Sequence, residues 1–181
     1  RYHSSNHNQL DRLFQEGWET ELFRGLIANE DFRNAFINRF ADHIHTVFSP
    51  EHAQPVIDAA ADAIAPEIEE HVQRWSYPTG NLSNWGNRIT RMKDFFPERP
   101  EFMREQLIDQ FGLAGNASFE LDVSRPDAGY IRLNSILLSE GADGLSNPVY
   151  PFEAQYFSGV PVRVEAVPNA GYSFAGWEGI E

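Results

Sequence analysis

The sequence predicts an α+β protein, an all-α helical block followed by a small antiparallel β-rich module. Three observations point there. Up to Leu113 the large apolar residues recur every three or four positions, the spacing of amphipathic helices. Beyond it the repeat shortens to two, as in half-buried strands. Clusters of proline, glycine and asparagine punctuate the chain between most of these segments.

The first helix is expected from Gln9 to Ile27, with Leu10, Leu13, Phe14, Trp18, Leu22, Phe23, Leu26 and Ile27 on its apolar side and Gly17 as the point of interruption. Asn29 can cap the next helix with its side chain, and Glu30 and Asp31 meet the positive end of its dipole. Its stripe, Phe32, Phe36, Ile37, Phe40, Ile44, Val47 and Phe48, runs to a stop at Ser49-Pro50. A further helix is expected from Gln54-Pro55, with proline in its first turn. Pro66 removes a backbone donor and either kinks that helix or opens another that carries Ile68, Val72 and Trp75.

Tyr77 to Asn81 reads as a turn. Trp85, Ile89, Met92 and Phe96 then share one helical face that Pro97 ends. Pro100-Glu101 opens the last helix, which buries Phe102, Met103, Leu107, Ile108 and Phe111 and leaves through a left-handed Gly112.

In the second part Phe119, Leu121 and Val123 alternate with Glu120 and Asp122, and Pro126 to Gly129 turns the chain into a strand from Tyr130 to Leu138. Ser139 to Asn147 is polar and glycine-bearing, the composition of a mobile loop. Phe152 to Phe157 is a short strand, Ser158-Gly159 a turn, and Val160, Val162, Val164 and Ala166 mark the clearest strand of the sequence. Pro168 to Gly171 then leads to a last strand, Tyr172 to Trp177, closing a hairpin. Tyr172, Phe174 and Trp177 are expected to form the small β core, the alternative being a carbohydrate- or protein-binding face.

Composition narrows the function. With 27 acidic against 14 basic residues the formal charge is -13, which repels nucleic acid and anionic lipid and predicts neither as a partner. No cysteine is present, which excludes disulfides, thiolate nucleophiles and Cys-bearing zinc sites. No apolar run approaches the roughly 20 residues that span a bilayer, so no membrane span is predicted. The polar start, Arg1 to Asn8, is expected of an internal piece of a longer chain, with any export signal upstream; its length of His, Ser and Asn is too polar to predict order.

No catalytic constellation emerges, so no catalytic, cofactor-binding or metal residue is assigned. His43 and His45, two apart, point in different directions on a helix and read as surface or capping histidines. Glu67 and His71 share a face but lack the second histidine of a zinc-protease helix. The adjacent acids Glu69-Glu70 and Glu30-Asp31 read as solvated faces. The Asp143-Gly144 loop is too poor in acids for calcium, and Gly176-Trp177-Glu178-Gly179 follows a strand with no helix behind it to receive a phosphate.

The helical block resembles the C-terminal part of the CotH-like kinase family, named for a spore-coat protein. Trp18, Leu22-Phe23, Leu26 to Asn29, Phe32-Arg33 and Phe36 to Asp42 carry the likeness, with Ile64-Ala65-Pro66-Glu67, His71 to Trp75, Trp85, Ile89, Phe95 to Pro100, Gln106-Leu107 and Phe111 to Leu113. The resemblance implies an atypical kinase-like fold whose members phosphorylate proteins with ATP and a divalent cation, Mg or Mn. It places the nucleotide-gripping lysine and metal-binding aspartates in a part of the domain before Arg1, so residues 18–113 are expected to be non-catalytic, behind residues 1–17, a polar segment and the start of the first helix.

Residues 117–181 resemble a divergent InlB-type B-repeat through Gly129 to Asn134, Tyr156 to Ala166 and Gly171-Tyr172-Ser173-Phe174-Ala175-Gly176-Trp177. The closing strand usual in such repeats has no counterpart up to residue 181, so an incomplete repeat is expected. Together the two likenesses imply a secreted or surface bacterial protein with a protein partner or substrate, the different-class alternative being an adhesion module without kinase activity.

Overall fold

The computed structural model describes residues 4–75 and 80–179. Among them, helices α1 (Leu10–Phe14), α2 (Trp18–Ile27), α3 (Glu30–His45), α4 (Pro50–Arg74), α5 (Leu82–Lys93) and α6 (Arg99–Phe111) precede strands β1 (Asn116–Leu121), β2 (Gly129–Leu133), β3 (Ile136–Leu138), β4 (Phe152–Phe157) and β5 (Val164–Pro168). The arrangement is α+β, as the change of period predicts.

Gly17, in extended backbone, divides the first expected helix into α1 and α2. Asn29 Oδ1 accepts from Phe32 N at 2.9 Å and starts α3. Ser49-Pro50, expected as a stop, instead opens α4: Ser49 Oγ accepts from His52 N at 3.2 Å and proline fills the first turn. α4 then runs through Pro55 and Pro66 to Arg74, replacing the two expected helices. The prolines leave the carbonyls of Glu51 and Asp62 without a helical donor, and both residues are exposed, where water supplies one.

Tyr77 to Thr79 of the expected turn lie outside the described residues. Gly80 follows them at φ 79°, and Asn81 Oδ1 caps α5 by accepting from Asn84 N at 2.8 Å. α5 ends at Lys93, short of Phe96. α6 leaves through Gly112 at φ 61°. Residues 5–7 of the polar start are tied to α6. Arg99 donates to the carbonyls of Ser5 and His7, both at 2.8 Å, and Gln106 donates to that of Asn6 at 2.9 Å.

β1 and β4 pair antiparallel from Asn116↔Phe157 to Leu121↔Phe152, and a second antiparallel sheet has the order β3-β2-β5. The single strand expected from Tyr130 to Leu138 is two, joined by Asn134-Ser135 with Asn134 at φ 48°, a conformation its short side chain tolerates. The strand expected from Val160 begins only at Val164. Asn134 and Arg163 close the ladder, each backbone N–H bonded at 2.7 Å to an oxygen of the other residue. Val160 is buried, and Pro161 accepts from Asn38 of α3 at 2.7 Å, so the chain at Val160 and Pro161 follows the helix before it joins β2.

No strand forms over Tyr172 to Trp177, and the expected β core of these aromatics is overturned. Tyr172, Phe174 and Trp177 are 41%, 49% and 40% exposed. Their rings meet each other and Arg125 rather than a sheet: Phe174 and Trp177 lie 5.1 Å apart, and the Arg125 guanidinium stands 5.2 Å over Tyr172.

The core runs across the change of architecture. Leu10, Ile37, Ala41 and Leu107 from the helices join Ile131, Leu133, Leu138, Ala154, Tyr156 and Phe157 from the strands in one buried cluster. On its helical side Phe36 sits 5.1 Å from Phe23, 5.0 Å from Phe40 and 6.0 Å from Phe111, and Phe14 closes the group at 5.5 Å from Phe23. These edge-on rings bind α1, α2, α3 and α6 together. α4 and α5 pack chiefly on each other and form an arm.

Candidate functional site

α3 is the helix that meets the sheets. Its apolar row, Ile37, Ala41 and Ile44, enters the core. Beside it Asn38, Asp42, His45 and Thr46, three or four residues apart along one face, form a polar row turned to the strands.

Asp42 is the centre of that row and is only 2% exposed. Tyr156 Oη donates to its Oδ1 at 2.6 Å, and Asn134 Nδ2 reaches the same oxygen at 3.3 Å. Ser135 N donates to Oδ2 at 3.0 Å, and the Ser135 hydroxyl donates to it as well. A buried carboxylate must have its charge met by donors or cations. Here four donors from β4 and the β2–β3 turn meet it. Burial, and then the Asp42 charge, push the Tyr156 hydroxyl far above the ordinary tyrosine range, so it stays a donor. With both oxygens engaged, the carboxylate acts as an anchor between helix and sheets.

His45 stands one turn further on. Its ring stacks on Tyr156 at 5.6 Å and 25°, and its Nε2 lies 2.9 Å from the carbonyl oxygen and 3.0 Å from the nitrogen of Gln155 on β4. Burial, ahead of every other influence, lowers its pKa and favours the neutral ring. The expectation of a surface or capping residue is corrected: His45 lies inside the junction.

An open cleft of about 440 Å³ separates the end of α3 from residues 139–143, with Arg39, His43, Ser135, Ser139, Glu140 and Asp143 on its walls. The loop is held there by Gly144 at φ 78°, where a Cβ would stand 2.7 Å from the backbone carbon of Thr46. Asp143 is 3.9 Å from His52 and its side chain is 87% exposed.

The other residues singled out in the sequence stay apart. Glu30, Asp31, Glu67, Glu69, Glu70 and His71 are exposed on helix surfaces. Among the described residues no group of three or more His, Cys, Asp or Glu side chains is placed to hold a metal ion. Beyond the Phe36–Asp42 stretch that carries the family likeness, the sequence does not mark Asp42 as a site residue, because the donors that define its role lie more than 90 residues away.

Two apolar surfaces lie away from this junction. Trp18, Leu22 and Leu26 form an exposed stripe on α2, at 88%, 75% and 41%. Val56, Ile64, Trp75, Leu82 and Met92 are exposed on or beside the α4–α5 arm. No described helix is long and apolar enough to cross a membrane.

No curated protein and no solved structure was found to match the chain. A family model described as CotH kinase protein matches residues 1–103, from the polar start into α6 and so over more than half of the 181 residues. The chain therefore belongs to the CotH kinase protein family.

Proposed function

We propose that this chain is a non-catalytic C-terminal region of a secreted or surface CotH-like protein kinase, in which residues 18–113 buttress an ATP-binding core contributed by the preceding part of the domain. The observation that carries this reading is the Trp18–Leu22–Leu26 stripe, which lies inside the family-matched segment and is left uncovered by the fold. Stripes of this kind usually pack against another element. In this reading ATP and magnesium or manganese bind in the preceding part, which also supplies the lysine and acids that phosphoryl transfer needs. Residues 117–181 act as an InlB B-repeat-like spacer seated on α3.

A second reading, an adhesion or protein-interaction module without kinase activity, is favoured by the exposure of Tyr172, Phe174 and Trp177, since aromatics dominate binding hot spots. Calorimetry with ATP and magnesium or manganese distinguishes the two, run on this chain and on a protein extended upstream of Arg1. Binding by the extended protein alone supports the buttress. Tight binding by this chain overturns its non-catalytic assignment, and silence from both favours the interaction module.

A further inference from the structure

We infer that His45 makes the seating of β4 on α3 sensitive to pH, loosening the junction between the helical block and the β-rich module on acidification. β4 pairs with β1 along one edge only. On its other edge the N–H and C=O of Gln155 both turn to a single atom, His45 Nε2, at 3.0 and 2.9 Å.

One ring nitrogen serves these two groups in different protonation states. In the neutral ring protonated at Nδ1, Nε2 accepts the Gln155 N–H and gives no proton to the carbonyl. In the imidazolium it carries a proton, donates to the Gln155 carbonyl, and leaves that N–H without an acceptor at a half-buried edge.

The surroundings on balance oppose the imidazolium: the Gln155 carbonyl, second in size among the influences on His45, favours it, and burial outweighs that. From β4 the Tyr156 ring covers the imidazole, and its hydroxyl is already given to Asp42. From α6 comes the positive Arg104, with Glu101 3.6 Å from its guanidinium. From α3 itself Asp42 attracts a proton to His45, but four donors already meet its charge. Desolvation is the largest influence and lowers the folded-state pKa below the ordinary 6.5.

The sign follows. The unfolded chain takes up the proton more readily than the folded one, so the contribution of the neutral ring is complete above 6.5 and is lost as pH falls below it. His43 is shifted in the same direction, chiefly by burial, and would add to any global loss of stability, so the readout must be local.

The test is amide hydrogen exchange at Gln155, corrected for intrinsic exchange, at about pH 7.5 and about pH 5, either side of the histidine range. It uses the whole chain as wild type, His45→Gln and His43→Gln. Glutamine can accept and donate at this position without titrating. The expected result is a fall in protection of about tenfold in wild type and in His43→Gln, in keeping with a local opening, and none in His45→Gln. Equal protection at both pH values in wild type, or an undiminished fall in His45→Gln, overturns the proposal. Should His45→Gln not fold, nuclear magnetic resonance titration of wild type decides. A His45 midpoint below 6.5 that the Gln155 amide shift follows supports it; a midpoint at 6.5, or an amide that does not follow, overturns it.

Discussion

The junction along α3 and the α4–α5 arm are built from similar residue types, yet they end in opposite states. At the junction apolar side chains disappear into a core shared with the sheets, and a polar row beside them is matched to donors and acceptors across the interface. In the arm, α4 is 25 residues long with only Ala53 buried, and α5 buries none. Its described polar cross-links include the half-exposed Lys93–Asp58 pair at 2.7 Å, of a kind that contributes little, and Gln54 Nε2 donating to the Lys93 carbonyl at 3.3 Å. Stability in this chain therefore resides where α3 meets the strands, and the arm is maintained by helix capping and its own pairwise packing.

Asp42→Ala should break that difference most. It leaves the buried Tyr156 hydroxyl without its acceptor and removes the charged partner of the Asn134 amide and of the Ser135 N–H and hydroxyl, which can turn to water. The expected loss is about 4 kcal/mol, one buried unsatisfied group at about 1–3 kcal/mol and the lost hydrogen bonds to a charged group, read from urea unfolding. A loss below about 1 kcal/mol would show that the sheets hold their place without this anchor. Leu107→Ala, from a side chain with no exposure, should follow at about 3 kcal/mol, and the corresponding Ile64→Ala in the arm at less than about 1 kcal/mol. Comparable losses at the two positions would contradict the contrast.

Gly144→Ala tests the junction from its loop side. The new Cβ meets the Thr46 backbone at 2.7 Å, and φ 78° is strained for alanine, so a loss of about 2 kcal/mol is expected in the same unfolding experiment. An unchanged midpoint would mean that residues 139–144 can leave α3 at no cost.

The helical half was the more legible in the sequence because its signals are local. The Asn29 cap, the break at Gly17 and the left-handed Gly112 each act within a turn of the residue that encodes them. Ser49-Pro50 misled because serine before proline is both an end and a beginning, and the cap to His52 decides for a beginning. The strands were less legible because their limits depend on partners far away in the chain. Alternation from Val160 to Ala166 cannot tell that Pro161 will be claimed by Asn38, 123 residues earlier. Alternation at Tyr172, Phe174 and Trp177 cannot say that no described strand lies alongside. The anchor itself was hidden for the same reason: Asp42 lies in the family-matched segment, while all its cross-interface donors lie beyond residue 103.

The smallest effect is the most informative about the uncovered α2 stripe. Trp18→Gln with Leu22→Gln removes two large apolar side chains that are 88% and 75% exposed, and glutamine keeps the helix well populated. In this chain the pair should change stability by less than about 0.5 kcal/mol, since exposed side chains carry little transfer free energy into the fold. In a protein extended upstream of Arg1, the same pair should cost about 2 kcal/mol or more if the kinase core rests on this face, because the side chains would then be buried. Equal and negligible effects in both proteins would remove the stripe as the contact between buttress and core. A large effect in this chain alone would instead show that α2 is already covered by a second copy, which dilution of the sample would reverse.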